Sequence, residues 1–271
     1  MPRISAPDLL KMKAAGEKIA MVTAYDAGMA RLVDAAGVDV VLVGDSLGMV
    51  IQGKADTLGV TLRDVAYHGR CVSAGLDRAH LTLDMPFMTY QVSAAQALRS
   101  AGKLVQHGYA QSVKLEGGVR SAAAIRAIVE AGIPVVGHVG LTPQSVHAFG
   151  GFRVQGRDAE TARRITEDAL AVQDAGAFCV VFEMIPAELA AELTAKLAIP
   201  TIGIGAGAGC DGQVLVYQDL LGMDASFKPR FVKRYADLDG TVRGAVSAYV
   251  REVKSGAFPG PEHAFAATKE G

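Results

Sequence analysis

Residues 40–48 read VVLVGDSLG. Four aliphatic, mostly β-branched residues run straight into Gly44, Asp45 and Ser46. An apolar run without polar alternation marks a strand buried on both faces, as in a parallel sheet. A carboxylate and a hydroxyl placed where such a strand stops serve no packing purpose. They belong at the mouth of something, and the reading turns on whether other strands end in the same way.

They do. Strands are expected at 19–23, 38–43, 79–83, 112–115, 134–137, 177–182, 199–204 and 213–216, the last with the weakest pattern. Helices are expected at 27–36, 61–74, 93–106, 122–131, 159–175, 186–197 and 241–254, several of them closed by an Ala-Gly pair. A short leading helix starts from Ser5, with Pro7 and Asp8 in its first turn, and stops at Gly16. Strict alternation implies parallel strands joined by right-handed crossovers. Seven or eight such units in roughly 250 residues favour a closed barrel. The rival, an open doubly wound sheet, advertises itself by a GxGxxG first turn, and residues 23–31 have none. The expected fold is therefore α/β, a (β/α)8 TIM barrel with a short N-terminal helix. It would span 1–256 as one domain, with a tail at 257–271 in which Phe258 and Phe265 could dock.

Composition narrows the function. Half of the 271 residues are hydrophobic, the mean hydropathy is +0.25, and the net charge is −1 with charges scattered. No stretch approaches the ~18 uninterrupted apolar residues of a membrane span. No basic footprint for nucleic acid or an anionic membrane is present. A buried sheet plus subunit contacts accounts for the apolar balance, so a homo-oligomer is expected. Cys71, Cys179 and Cys210 are far apart, which fits neither a disulfide framework nor a zinc site. Residues 1–18 carry charges throughout and hold no apolar h-region, so no signal peptide and a cytoplasmic location are expected.

The strand ends carry the chemistry: Asp26, Asp45-Ser46, Asp84, Glu116, His138 and Glu183. In a barrel these ends converge on one face, where active sites lie. Asp26 reads equally well as a cap for the next helix. Asp45, Asp84 and Glu116 end consecutive strands, and three such carboxylates repel one another unless a cation sits among them. An all-oxygen set suits Mg²⁺ or Mn²⁺. Glu183 follows Val180, Val181 and Phe182, so burial should raise its pKa toward neutrality, as a general base requires. Lys114 shares a strand face with Glu116 and needs an anion. A substrate carboxylate would serve, and so would Glu116 or another local acid. His138 is as readily a satisfied core residue as an accessory group. Residues 140–157, GLTPQSVHAFGGFRVQGR, form a long connection dense in glycine and polar residues, expected to act as a lid or binding loop. GIGAG at 203–207 would let a flat ligand approach the backbone.

Several stretches are longer and more unusual than these single residues: VTAYD (22–26), LVGDSLGMV (42–50), DMPF-x-x-Y (84–90), VKLEGG (113–118), GHVGLTPQSV (137–146), GGFRVQGR (150–157), IPTIGIGAG (199–207) and DGQVLV (211–216). Together with FVKRY (231–235) and EHAF (262–265), they run in order along nearly the whole chain. The sequence resembles the 3-methyl-2-oxobutanoate (ketopantoate) hydroxymethyltransferase family. That resemblance implies a cytoplasmic homodecamer that converts α-ketoisovalerate and 5,10-methylenetetrahydrofolate to ketopantoate, with Mg²⁺, in the first step toward pantothenate. By motif, Asp45 and Asp84 would ligate Mg²⁺ with Glu116 as a further ligand. Asp45, Ser46, Asp84 and Lys114 would contact the keto acid, and Glu183 would accept the proton. Two rivals stay in view. One is a Schiff-base aldolase using Lys114. The other is a non-catalytic oligomer that kept the barrel, although no acid at 45, 84 or 183 has been lost.

Overall fold

The computed structural model describes residues 3–226 and 228–266. Its chain divides into two compact units, one up to Tyr217 and one from Gln218 onward. All eight strands lie in the first. The helix Leu238–Ser255, counted above within the barrel domain 1–256, lies in the second. Residues 267–271 of the expected tail are outside the described residues.

In the first unit, helix α1 (Ala6–Ala15) precedes strand β1 (Ile19–Thr23) and helix α2 (Ala27–Ala35). Strand β2 (Val40–Val43) leads to the single turn α3 (Leu47–Val50) and helix α4 (Leu62–Ser73). Then come β3 (His80–Asp84), α5 (Ala94–Gly108), β4 (Ser112–Glu116) and α6 (Ala122–Glu130). Next are β5 (Val135–Gly140), the short α7 (Val146–Phe149), α8 (Ala159–Asp174) and β6 (Cys179–Glu183). Helix α9 (Ala187–Lys196), β7 (Thr201–Ile204) and β8 (Gly212–Leu215) complete the series. The strands are parallel and close in sequence order, β8 pairing with β1 through Ile19–Gly212. This is the expected (β/α)8 barrel with its N-terminal helix.

The caps follow from the residues. Thr61 and Asp64 bond reciprocally to each other's backbone at the start of α4, a capping box. Asp26 caps α2, its carboxylate accepting the Met29 N–H at 2.8 Å, so the structural reading of that residue holds. Alternation along each strand then sorts the barrel interior by height. At the N-terminal end, Ile19, Met21, Val40, Leu42, Val136, Cys179, Val181, Ile202 and Val214 pack with Phe178 and with Ala6 and Leu9 of α1, which plugs that end. Further along the same faces the side chains become ionisable: Thr82 gives way to Asp84, Ser112 to Lys114 and then Glu116, Val136 to His138, and Val181 to Glu183. The polar end is the C-terminal one.

The second unit is a loop region followed by the helix Leu238–Ser255, capped by Asp237 accepting the Gly240 N–H. Phe258 packs edge-on against Tyr249 with ring centroids 5.6 Å apart, whereas Phe265 is fully exposed. Among the described residues, no helix is long and apolar enough to cross a membrane.

Candidate active site

Asp84, Glu116 and Glu183 are the last residues of their strands, whereas Asp45 and Ser46 lie in the turn after β2. Strands expected to stop at 83, 115 and 182 each run one residue further, to Asp84, Glu116 and Glu183, and β5 runs three further to Gly140. The backbone ladder therefore grips each acid directly: Asp84 is in register with Lys114, Glu116 with His138, and Glu183 with Gly140.

Asp45 and Asp84 are brought together first. The Asp45 backbone N–H donates to Asp84 Oδ2 at 2.9 Å, across the turn that follows β2. A side chain at Gly44 could not fit there, because its Cβ would lie 2.7 Å from Ser46 Oγ and 3.3 Å from Asp84 Oδ2. Asp84 Oδ1 pairs with Lys114 Nζ at 2.7 Å. Of the partners open to Lys114, a neighbouring strand's acid is thus the one it takes here. Its ammonium also lies 3.4 Å from His138 Nδ1. His138 lies among these acids, its Nδ1 3.7 Å from Glu116 Oε1 and its Nε2 3.1 Å from Glu183 Oε2. Ser46, partly buried, shares a hydrogen bond of 2.8 Å with the Tyr25 hydroxyl.

Glu116 is held at a distance from the aspartates. Its Oε2 accepts the backbone N–H of Gln144 at 3.0 Å, and Oε1 has no hydrogen-bond partner. Gln144 Nε2 in turn donates to Asp45 Oδ2 at 2.8 Å. Glu183 is the most open of the group, its side chain 16% exposed against 1% for Glu116 and 4% for Asp84. Its carbonyl accepts from Leu141 N–H at 2.8 Å, and Met184 behind it adopts a left-handed φ of 45°.

Four acids thus face one lysine and one histidine in a nearly dry space. Burial, then the Asp84 charge, push Asp45 up to about 7. Burial pushes Glu183 up to about 7, against the nearby Lys114. Burial and the Asp45 charge hold Glu116 well above the usual carboxylate range. Burial acts to lower Lys114, but the charges of Asp84, Asp45 and Glu116 outweigh it and raise the pKa. Burial and the Lys114 charge keep His138 well below its ordinary value. A lysine held charged and paired is a poor Schiff-base nucleophile, which counts against the aldolase rival.

The arrangement can therefore bind an anionic oxygen ligand beside Lys114 and offers a partly open carboxyl, Glu183, poised to exchange a proton near neutral pH. Residues 3–261 match the profile of the family described as ketopantoate hydroxymethyltransferase. The chain belongs to this family. A 3-methyl-2-oxobutanoate hydroxymethyltransferase of Pelobacter propionicus is 56% identical over 97% of this chain and 97% of its own. One of Syntrophotalea carbinolica is 57% identical over 95% and 97%. As a ketopantoate hydroxymethyltransferase family member the chain is an enzyme, a transferase. Among solved structures, a phosphoenolpyruvate phosphomutase from Streptomyces platensis subsp. rosaceus superposes with a TM-score of 0.61, covering 93% of this chain and 88% of that one. At 15% identity this is a likeness of fold alone.

Does the donor set suit a divalent cation? Among the described residues, no three His, Cys, Asp or Glu side chains converge as a ready-made metal cage. Lys114 holds Asp84, and Gln144 stands between Asp45 and Glu116. What exists is an adjacent aspartate pair in an acid-rich pocket, with Glu116 Oε1 lacking any hydrogen-bond partner and Asp84 Oδ1 held by the Lys114 ammonium. Mg²⁺ asks for no more, because it keeps waters and takes one or two carboxylates plus substrate oxygens. The residues fit that ion.

Sequence reasoning passed over Gln144 and Tyr90. Tyr90 ends the motif at 84–90 and Gln144 lies in that at 137–146, where the reading of residues 140–157 as a lid gives no signal for it. In the structure, residues Pro143–Ser145 form a 3₁₀ turn that drives Gln144 back under the strand ends. Within GIGAG, Gly207 packs against α9, where a Cβ would lie 2.5 Å from Ala187.

Proposed function

We propose that this enzyme transfers a hydroxymethyl group to α-ketoisovalerate, giving ketopantoate, the first step toward pantothenate. The methylene carbon of 5,10-methylenetetrahydrofolate and the oxygen of a water would make up the group transferred. The observation that carries this reading is the juxtaposition, on one barrel mouth, of the Asp45–Asp84 pair with Glu183, the most exposed acid of the cluster.

Mg²⁺, held by Asp45 and Asp84 with Glu116 as a further ligand, would supply Lewis-acid polarisation of the keto acid. The protein's own groups do the rest. Lys114 and the Ser46 hydroxyl hold the carboxylate end of the keto acid. Glu183, with a pKa of about 7, removes the proton from the carbon next to the ketone. His138, with its Nε2 3.1 Å from Glu183, lies beside that carboxylate and stays neutral next to Lys114. Water hydrolyses the folate-borne methylene, both of its C–N bonds breaking as tetrahydrofolate leaves, and the enolate adds to the carbon of the formaldehyde so released, whose oxygen takes up a proton to become the new hydroxyl. Family membership also supports a cytoplasmic homodecamer.

The test is ketopantoate formation from α-ketoisovalerate and 5,10-methylenetetrahydrofolate, with Mg²⁺ and with a chelator. Product that requires both the folate and the metal is expected. Equal turnover in chelator would refute the metal role, and no product with both present would refute the reaction.

A further inference from the structure

The residue that links the two halves of the carboxylate cluster is Gln144, and neither the family's motif chemistry nor the mechanism above uses it. Both polar atoms of its side chain and its backbone N–H have partners. Nε2 donates to Asp45 Oδ2 at 2.8 Å and to the Met85 carbonyl at 3.0 Å. Oε1 accepts from the Tyr90 hydroxyl at 2.7 Å and from Gln91 Nε2 at 3.1 Å. The backbone N–H donates to Glu116 Oε2 at 3.0 Å. The residue is 7% exposed, and its partner Asp45 lies 99 positions away in the chain.

We propose that Gln144 is a positioning residue for the metal-binding carboxylates: it sets Asp45 by its side chain and Glu116 by its backbone, and Tyr90 sets Gln144. This rests on the reading that Asp45 and Asp84 hold Mg²⁺. Only an amide does this work. The Asp45 and Met85 oxygens demand two donors on one end, while Tyr90 and Gln91 supply donors to the other. A carboxylate here would meet Asp45 oxygen to oxygen, and an aliphatic chain would leave Asp45 Oδ2, the Met85 carbonyl and the Tyr90 hydroxyl buried without that partner. Tyr90 is itself braced, since its hydroxyl accepts the Glu116 backbone N–H at 3.1 Å. The hydroxyl thereby ties the end of β4 to the 3₁₀ turn after β5. Partners of this kind, standing behind metal ligands, tune affinity by fixing ligand orientation.

The experiment is calorimetric titration of the purified enzyme with α-ketoisovalerate across a series of Mg²⁺ concentrations. It compares wild type, Gln144→Met, Tyr90→Phe and the double variant, with thermal unfolding run alongside. Gln144→Met keeps length and volume. It is expected to raise the Mg²⁺ concentration for half-maximal keto-acid binding by about 10–100-fold. Tyr90→Phe should raise it in the same direction and by less, and the double variant should lose less than the sum of the two, because Tyr90 acts in part through Gln144 and in part through its own bond to the Glu116 N–H. A residue that merely filled space would lower the melting temperature and leave the Mg²⁺ requirement of the folded protein unchanged. That result in Gln144→Met, or a double variant showing the sum of both losses, overturns the proposal while the metal reading stands. If Gln144→Met does not fold, Tyr90→Phe decides, and an unchanged Mg²⁺ requirement there overturns it. A wild type that binds keto acid equally with and without Mg²⁺ overturns both.

Discussion

Glu183 shows how a single side chain acquires a role from its surroundings. The residue ends a strand of Val180, Val181 and Phe182, and burial lifts its pKa to about 7, so at neutral pH it can both take and return a proton. The apolar flanks make that shift readable from the sequence. Its openness is not readable, because it depends on how β5 and β6 end beside each other. Glu183→Gln keeps the shape and removes the base. Deuterium exchange at the carbon next to the ketone of α-ketoisovalerate should slow by about 10²–10⁴-fold. Mg²⁺-dependent binding of the keto acid should stay close to wild type. Exchange at the wild-type rate, followed by NMR, would remove Glu183 from the base role.

At the scale of elements, the barrel was legible because parallel strands are buried on both faces and read as uniform apolar runs. Their ends were less legible. Asp84, Glu116 and Glu183 look like loop residues by type, yet each belongs to a strand because its side chain turns inward while its backbone stays in the ladder. The turns Leu47–Val50 and Pro143–Ser145 were hidden by glycine and polar residues. Gln144 could not be found at all, since its importance arises only where chain segments 99 residues apart meet. One element contact has a sharp consequence. Gly140 has φ +94°, and a Cβ there would lie 2.4 Å from the Glu183 carbonyl oxygen and 2.7 Å from Ile185 Cγ2. Gly140→Ala should therefore cost on the order of 3 kcal/mol, from strain and overpacking together. It should also slow proton exchange by displacing the end of β6. Gly150→Ala is the control, because it shares a positive φ of 65° but meets nothing within 4 Å. It should cost about 1–2 kcal/mol, the left-handed backbone penalty alone. Equal losses of stability in the two variants, measured by urea unfolding, would refute the packing argument.

For the molecule as a whole, the barrel is divided between an end that stabilises it and an end that does not. The plug of α1 and the apolar layer above it bury hydrocarbon, while the opposite mouth buries four acids against one lysine. A carboxyl whose pKa is higher folded than unfolded binds more protons in the folded state, so stability falls as pH rises between the two values and levels off above the folded one. Asp45 moves from 3.8 to about 7, Glu183 from 4.5 to about 7, and Glu116 lies well above its ordinary value. Buried His80, lowered to about 4, and His138, well below normal, act the opposite way, but only until the unfolded chain's histidines lose their protons near about pH 6.5. The acids therefore act unopposed by these two histidines from about pH 6.5 to 8. In chelator, the unfolding free energy of the first unit should fall across that window by a few kcal/mol. Asp45→Asn should make the fall shallower. Mg²⁺ should offset it, because a cation bound only by the folded state stabilises that state and favours the ionised carboxylates. Urea unfolding in chelator that is flat across the window, or equally steep in Asp45→Asn, would mean that these acids do not carry the electrostatic strain assigned to them.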